Sequence, residues 1–198
     1  MLFRSKQIND ETMHMLELAY ENVNQAFGQL LQFSDKTDEQ IYKREDTVNY
    51  LDKVISEYIS TALATPNLNV NISQALSSYY LMLVDIERIS DYAVNMNHQA
   101  TKRLQGDMTI SEIEIVEHMK KLCVDMKNDL DDVEEAERKD DVIDSLVSSW
   151  REAQIQALKQ KKCSSEVSMM LSRIFTDFER INDHALNVSQ ELDKITFE

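Results

Sequence analysis

The chain has almost none of the residues that turn a backbone sharply: 2 glycines and 1 proline among 198 residues. Strands joined by tight turns usually need more of both, so an all-helical fold is favoured before any pattern is read. Cysteine is nearly absent too. Cys123 and Cys163 have no metal-type spacing, which fits a reduced, cytoplasmic setting. Basic residues are outnumbered, 21 against 36 acids, for a net charge of −15. No Lys/Arg-rich stripe is available to neutralise phosphates, so nucleic acid is excluded as a partner and docking on anionic lipid is disfavoured. Cations, basic protein surfaces and metal ions are the natural partners of such a field, although an acid surplus often serves solubility alone. No run of 18 apolar residues occurs and no signal peptide opens the chain. Neither membrane insertion nor export is expected of this segment, which is also compatible with a soluble piece of a longer membrane protein. Gly-rich phosphate loops, nucleophile elbows and zinc-type Cys/His spacings are all missing.

What is present is helical periodicity from end to end. It predicts six helices, over roughly 8–34, 37–64, 69–104, 110–137, 139–161 and 165–194. Thr37 with Gln40 and Thr109 with Glu112 read as capping boxes. Pro66 stops the second helix, and Gly106 is the clearest stop in the chain. A nine-residue segment occurs twice. Glu87-Arg88-Ile89-Ser90-Asp91-Tyr92-Ala93-Val94-Asn95 recurs as Glu179-Arg180-Ile181-Asn182-Asp183-His184-Ala185-Leu186-Asn187, with Asp85 and Asp177 extending the match. A second stretch from Lys43 aligns with one from Arg138. Helices two and five therefore correspond, as do three and six. The expected fold is all-α: two tandem antiparallel three-helix bundles, residues 1–105 and 106–198, joined at Gly106 as one elongated domain.

Taking Glu87 as the origin of a helical wheel, Asp91 lies at about 40°, Asn95 at about 80° and His98 at about 20°. Ile89, Ala93, Met96 and Ala100 fall on the opposite side and belong to the core. Tyr80, Leu83 and Val84 share the acids' sector, so the acidic stripe continues a partly apolar face. A single Glu-x-x-x-Asp pair is most often a solvated surface, offset here by Arg88 or Arg180. Two copies inside a repeat argue for more. Asp140 and Asp144 are likewise one turn apart, and beside the sixth helix they can converge with Glu179 and Asp183. Four converging carboxylates are costly unless a cation neutralises them. Oxygen-only ligands suit hard ions such as Mg, Mn, Ca or ferric iron. His184 points about 100° away from Asp183 and is a poor candidate ligand. The methionines, among them Met13, Met82 and Met169, read as core filler, and Trp150 as packing.

These residues resemble the PhoU family of phosphate-uptake regulators, whose signature Glu-Arg-Ile-Gly-Asp-His-Ala-x-Asn-Ile lies on the third helix of each of two three-helix bundles. The resemblance implies metal clusters built on paired Glu/Asp-x-x-x-Asp motifs. These fall on Glu87 with Asp91 and Glu45 with Asn49 in one half, and on Glu179 with Asp183 and Asp140 with Asp144 in the other. Ser90 and Asn182 replace the family glycine and Tyr92 replaces one histidine. Asn49 replaces an aspartate, which leaves the first cluster one carboxylate short and makes the second the fuller.

The resemblance implies a non-enzymatic regulator of phosphate transport and phosphate homeostasis, cytoplasmic or at the inner face of the cell membrane. Its cofactor would be a divalent or trivalent ion: Mg, Mn, Fe or Zn. Its partners would be phosphate transporter components, ABC-type or sodium-coupled, and a sensor kinase; a homodimer is allowed. The family also supplies the cytoplasmic C-terminal region of sodium/phosphate cotransporters, which the second helix, Ile41 to Tyr58, looks more like. The alternatives are a carboxylate-bridged metalloenzyme and a purely structural helical scaffold.

Overall fold

The computed structural model describes residues 2–101 and 107–195. Among these residues the chain forms six α-helices and no strand: α1 (Leu2–Leu31), α2 (Asp35–Leu63), α3 (Val70–Thr101), α4 (Ile110–Asn128), α5 (Val133–Lys159) and α6 (Ser165–Asp193). Helices α1, α2 and α3 pack on one another, as do α4, α5 and α6; α3 lies along α6 and α1 along α4. The predicted end of the third helix, Gly106 and the boundary drawn between the halves lie outside the described residues.

Apolar spacing explains why the halves close on each other. Ile89, Ala93, Met96 and Ala100 on α3 are all buried, as are Ile181, Ala185 and Val188 on α6. Phe27 of α1 meets Phe178 of α6 edge to face, with ring centroids 6.3 Å apart, a favoured aromatic geometry. Gln99 near the end of α3 accepts from Arg173 near the start of α6, and Asp85 meets His184 and Asn187. The two central helices thus run antiparallel, each half presenting its third helix to the other. Leu83, assigned to the acidic sector, is instead fully buried, whereas Tyr80 and Val84 stay exposed. Met169, read as core filler, is 61% exposed.

Helix ends follow local hydrogen bonding. The Thr109 capping box is present: Glu112 N–H donates to Thr109 Oγ1 (3.3 Å), and Thr109 N–H donates to Glu112 Oε2 (2.7 Å). The expected box at Thr37 does not form, because α2 starts earlier, with Ser34 as its N-cap. Gln29 of α1 takes over the work of a cap: its Oε1 accepts from Ser34 N–H at 2.7 Å, and its Nε2 donates to Ser34 O at 3.0 Å. The α4–α5 break falls at Asp129–Asp132, not near residue 138. Asp132 caps α5 by accepting from Glu135 N–H at 3.1 Å, and Lys139 reaches back to Asp129 and to Asp125 O. Asn67 (φ 59°) and Lys161 (φ 55°) mark matching left-handed turns before α3 and α6. Among the described residues no helix is long and apolar enough to cross a membrane.

Candidate functional site

Two seams, α2–α3 and α5–α6, carry the predicted acids. In the first, Glu45 of α2 lies against α3: Ser90 Oγ donates to its Oε2, and Asn49 Nδ2 donates to its Oε1 at 3.1 Å. Behind it, Asn22 of α1 donates to Ser90 Oγ at 3.1 Å and accepts from Arg44 at 2.7 Å. Burial raises the Glu45 carboxyl above the usual range; the Ser90 bond opposes this and the charge of Asp91 adds to it. Glu87 is raised by burial first, then by Asp91, Glu45 and Asp52, with Arg88 opposing. Four carboxylates therefore sense one another: Glu45, Asp52, Glu87 and Asp91.

Asp52 is an acid of this seam that sequence reasoning missed; its charge acts on Glu87. It stands two turns after Glu45, at the position matched in the other half by the buried Val147. Asn49 orients Glu45, while Asp52, itself raised by burial, adds a fourth carboxylate whose charge reaches Glu87. The i, i+7 spacing from Glu45 was the available signal.

The second seam brings together Asp140, Asp144, Glu179 and Asp183. Burial pushes Asp140 up to about 6, and Asp144, Asp183 and Asp141 add to the shift. Asp144 is raised by burial and then by Asp183 and Glu179. Asp140 Oδ1 is buried with no hydrogen-bond partner among the described residues. Asn182, which holds the repeat position of Ser90, does not serve it: its Nδ2 donates to Phe178 O at 2.7 Å. Arg180 pairs with Asp183 at 3.2 Å, as Arg88 does with Asp91 at 3.2 Å. Arg151 of α5 has no such twin. It donates to Glu179 Oε2 at 2.5 Å, to Thr176 Oγ1 at 3.1 Å and to Ser172 O at 3.3 Å, and lies over the Phe175 ring at 5.6 Å.

Among the described residues, no group of three or more His, Cys, Asp or Glu side chains stands arranged around a common metal position. In each seam the carboxylates act on one another's charge, and arginines pair with Glu87, Asp91, Glu179 and Asp183. Oxygen donors alone, mutual repulsion and the orphaned Asp140 oxygen fit a hard cation. Gathering the acids around one requires side-chain rotation away from those arginines.

The α3–α6 crossing uses the rest of the repeat. His184 Nδ1 lies 2.7 Å from Asp85 Oδ1, Asn187 donates to the same oxygen at 2.9 Å, and Tyr92 stacks on the His184 ring with centroids 5.8 Å apart. His184 is thus committed to the other half of the molecule. Asp177, the counterpart of Asp85, is pushed by burial up to about 6, with Arg173 opposing. Trp150 packs on Phe175 and Phe178, as its packing reading requires. Cys123 is buried and its thiol is pushed up by burial, which makes it inert.

The family model described as the PhoU domain matches the chain twice, at residues 12–100 and 110–192. The chain is 23% identical over 197 residues to the phosphate-specific transport system accessory protein PhoU homolog 1 of Thermotoga maritima, covering 93% of this chain and 84% of that protein. Its fold is that of the PhoU crystal structure from Pseudomonas aeruginosa, with a TM-score of 0.83 at 19% identity over 96% of this chain and 95% of that one. The phosphate transport system regulatory protein PhoU from Streptococcus pneumoniae superposes with a TM-score of 0.84 at 18% identity, covering 98% and 95%.

Proposed function

The chain belongs to the PhoU family, and on that premise we propose that it regulates phosphate transport through protein contacts made by its two acidic seams. It is an accessory protein of the phosphate-transport kind, as the named relative is. It would work in the cytoplasm, at the inner face of the membrane when bound to transporter components or to a sensor kinase. The observation that carries this reading is the pair of acidic seams, one between α2 and α3 and one between α5 and α6, with three acids at matching repeat positions: Glu45, Glu87 and Asp91 in the first, Asp140, Glu179 and Asp183 in the second.

Hard metal ions would be held by Glu45, Asp52, Glu87 and Asp91 on one side and by Asp140, Asp144, Glu179 and Asp183 on the other. Such an ion supplies positive charge to a face that otherwise repels anions, so that phosphate or an acidic partner surface can approach. The residues themselves set the donor type and its spacing. Ser90 and Asn49 orient Glu45, and Arg88 and Arg180 hold the outer acids when no cation is present.

Elemental analysis of protein purified without added metal, followed by Mn²⁺ titration, tests the reading. Bound ion that is lost when Glu87→Ala is combined with Asp91→Ala, and Glu179→Ala with Asp183→Ala, supports it. Metal-free protein whose stability does not respond to Mn²⁺ would leave the scaffold reading in its place.

A further inference from the structure

The net charge of −15 conceals a local exception. The turn between α5 and α6 reads Lys159-Gln160-Lys161-Lys162 and is exposed throughout. No ion pair among the described residues engages any of its lysines. The turn's own chemistry asks for other residues. Lys161 N–H donates to Leu158 O at 3.0 Å, Lys162 N–H donates to Ala157 O at 2.9 Å, and Lys161 has a φ of 55°. This is the Schellman close of a helix. Its left-handed position favours Gly or Asn, and the residue after it is commonly apolar and packed back on the helix. The matching turn of the first half follows both preferences: Asn67 takes the left-handed position at φ 59°, and Leu68 packs against the core. The second half has lysine in both places. Its turn thus sacrifices local stability and holds positive charge on a hydrogen-bonded backbone.

The helix ends beside this turn expose apolar side chains. Ile155 is 52% exposed, Leu158 39% and Met169 61%. Arg151 bonds to Ser172 and Thr176 across the α5–α6 hairpin, which brings Ile155, one turn further on, close to the level of Met169. The repeat register puts Ser60 and Ser77 at those two positions in the first half. The fold therefore requires neither the lysines nor the exposed apolar groups at this end.

We infer that this end of the α5–α6 hairpin is a docking surface for anionic membrane lipid. Lys159, Lys161 and Lys162 meet the headgroup phosphates, and Ile155, Leu158 and Met169 settle at the boundary between headgroups and acyl chains. The inference goes beyond the protein contacts proposed above and does not depend on them. Whole-chain charge weighs against lipid docking only over the distance that salt leaves unscreened, about 8 Å at physiological ionic strength. Asp144 of the acidic seam lies about 22 Å back along α5 from Lys159. Glu152 and Glu166 are the closer exposed acids on the two helices. Glu152 is about 10 Å back, and Glu166 stands in the first turn of α6, where the N–H groups of the helix start offset its charge. A bilayer, being flat, meets only the end of the hairpin, whereas an acidic helical peptide needs a groove for its side chains. Lysine stems can lie along the apolar groups with their ammonium ends among the headgroups.

The test is co-sedimentation of the full chain with vesicles of phosphatidylcholine, alone or enriched in phosphatidylglycerol. Binding is expected to the anionic vesicles only and falls as salt rises. Lys159→Gln or Lys162→Gln weakens it about fivefold each, and the two combined with Lys161→Asn weaken it about a hundredfold. Lys161→Asn alone installs the first half's residue. It should raise the thermal midpoint while weakening binding about fivefold, a pairing that misfolding cannot produce. Ile155→Ser with Met169→Ser weakens binding and leaves its salt dependence in place. Absence of binding to the anionic vesicles at low salt overturns the inference, as does equal binding to phosphatidylcholine alone or indifference to the triple substitution. Lysine-dependent binding of a poly-glutamate peptide without vesicle binding assigns the surface to an acidic protein and overturns it too. The phosphate-transport reading survives each of these failures.

Discussion

Ser90 and Asn182 occupy the same repeat position and do different work. The Ser90 hydroxyl, fully buried, donates to Glu45 and accepts from Asn22, closing a chain that runs on to Arg44. Asn182 turns back on its own helix, and Asp140 Oδ1 has no partner among the described residues. Ser90→Ala is therefore expected to cost about 1–3 kcal/mol in urea unfolding, because two buried polar groups lose a partner at once. Tyr79 allows a pH prediction. It is 1% exposed and donates to Asn9 Oδ1 at 3.1 Å. Burial, with a smaller push from Asp10, lifts its phenol from 10.0 to about 12. The neutral form is the one the fold favours. Its contribution is complete below pH about 10 and is lost as the pH rises toward about 12. Tyr79→Phe should flatten that decline in urea midpoints measured across the window. At this scale the sequence revealed charge but not reach. Glu87, Asp91, Glu179 and Asp183 were legible from their repeat. Asp52 and Arg151 were not, because each matters only through the register of its helix against the next one.

Helix existence was legible throughout, since apolar spacing and a shortage of breakers are properties of local sequence. Helix ends were legible only where the cap was local. Thr109 and Glu112 are three residues apart on one chain segment, and their box formed as expected. Removing it with Thr109→Ala should cost about 1 kcal/mol, read as a lower thermal midpoint. The start of α2 was illegible, because its turn is held by Gln29 from the preceding helix, whose side chain is buried by tertiary packing. The α4–α5 break hid inside a run of acids. Asp132 is a good N-cap, but neighbouring Asp and Glu gave the same charge signal without saying which of them would leave the helix.

The halves meet through α3 against α6 and α1 against α4, while the duplicated motif made the two bundles themselves visible in the sequence. What the motif could not show was that His184 spends its ring on Asp85 of the other half, where Tyr92 stacks on it. Coupling of this kind predicts that the halves unfold together. Phe27→Ala, made in the first half, should destabilise by about 3–5 kcal/mol. Trp150, the chain's only tryptophan, lies in the second half. Its fluorescence should nevertheless shift by the same amount as the far-UV signal from all the helices, with coincident transitions. The tandem arrangement also bears on how such a protein diversifies. In a symmetric homodimer every substitution appears at both sites, so neither can change alone. Fusing the two copies into one polypeptide lifts that constraint. A guanidinium, that of Arg151, can stand in one half while a serine, Ser56, holds the matching place in the other, so each half is free to change alone.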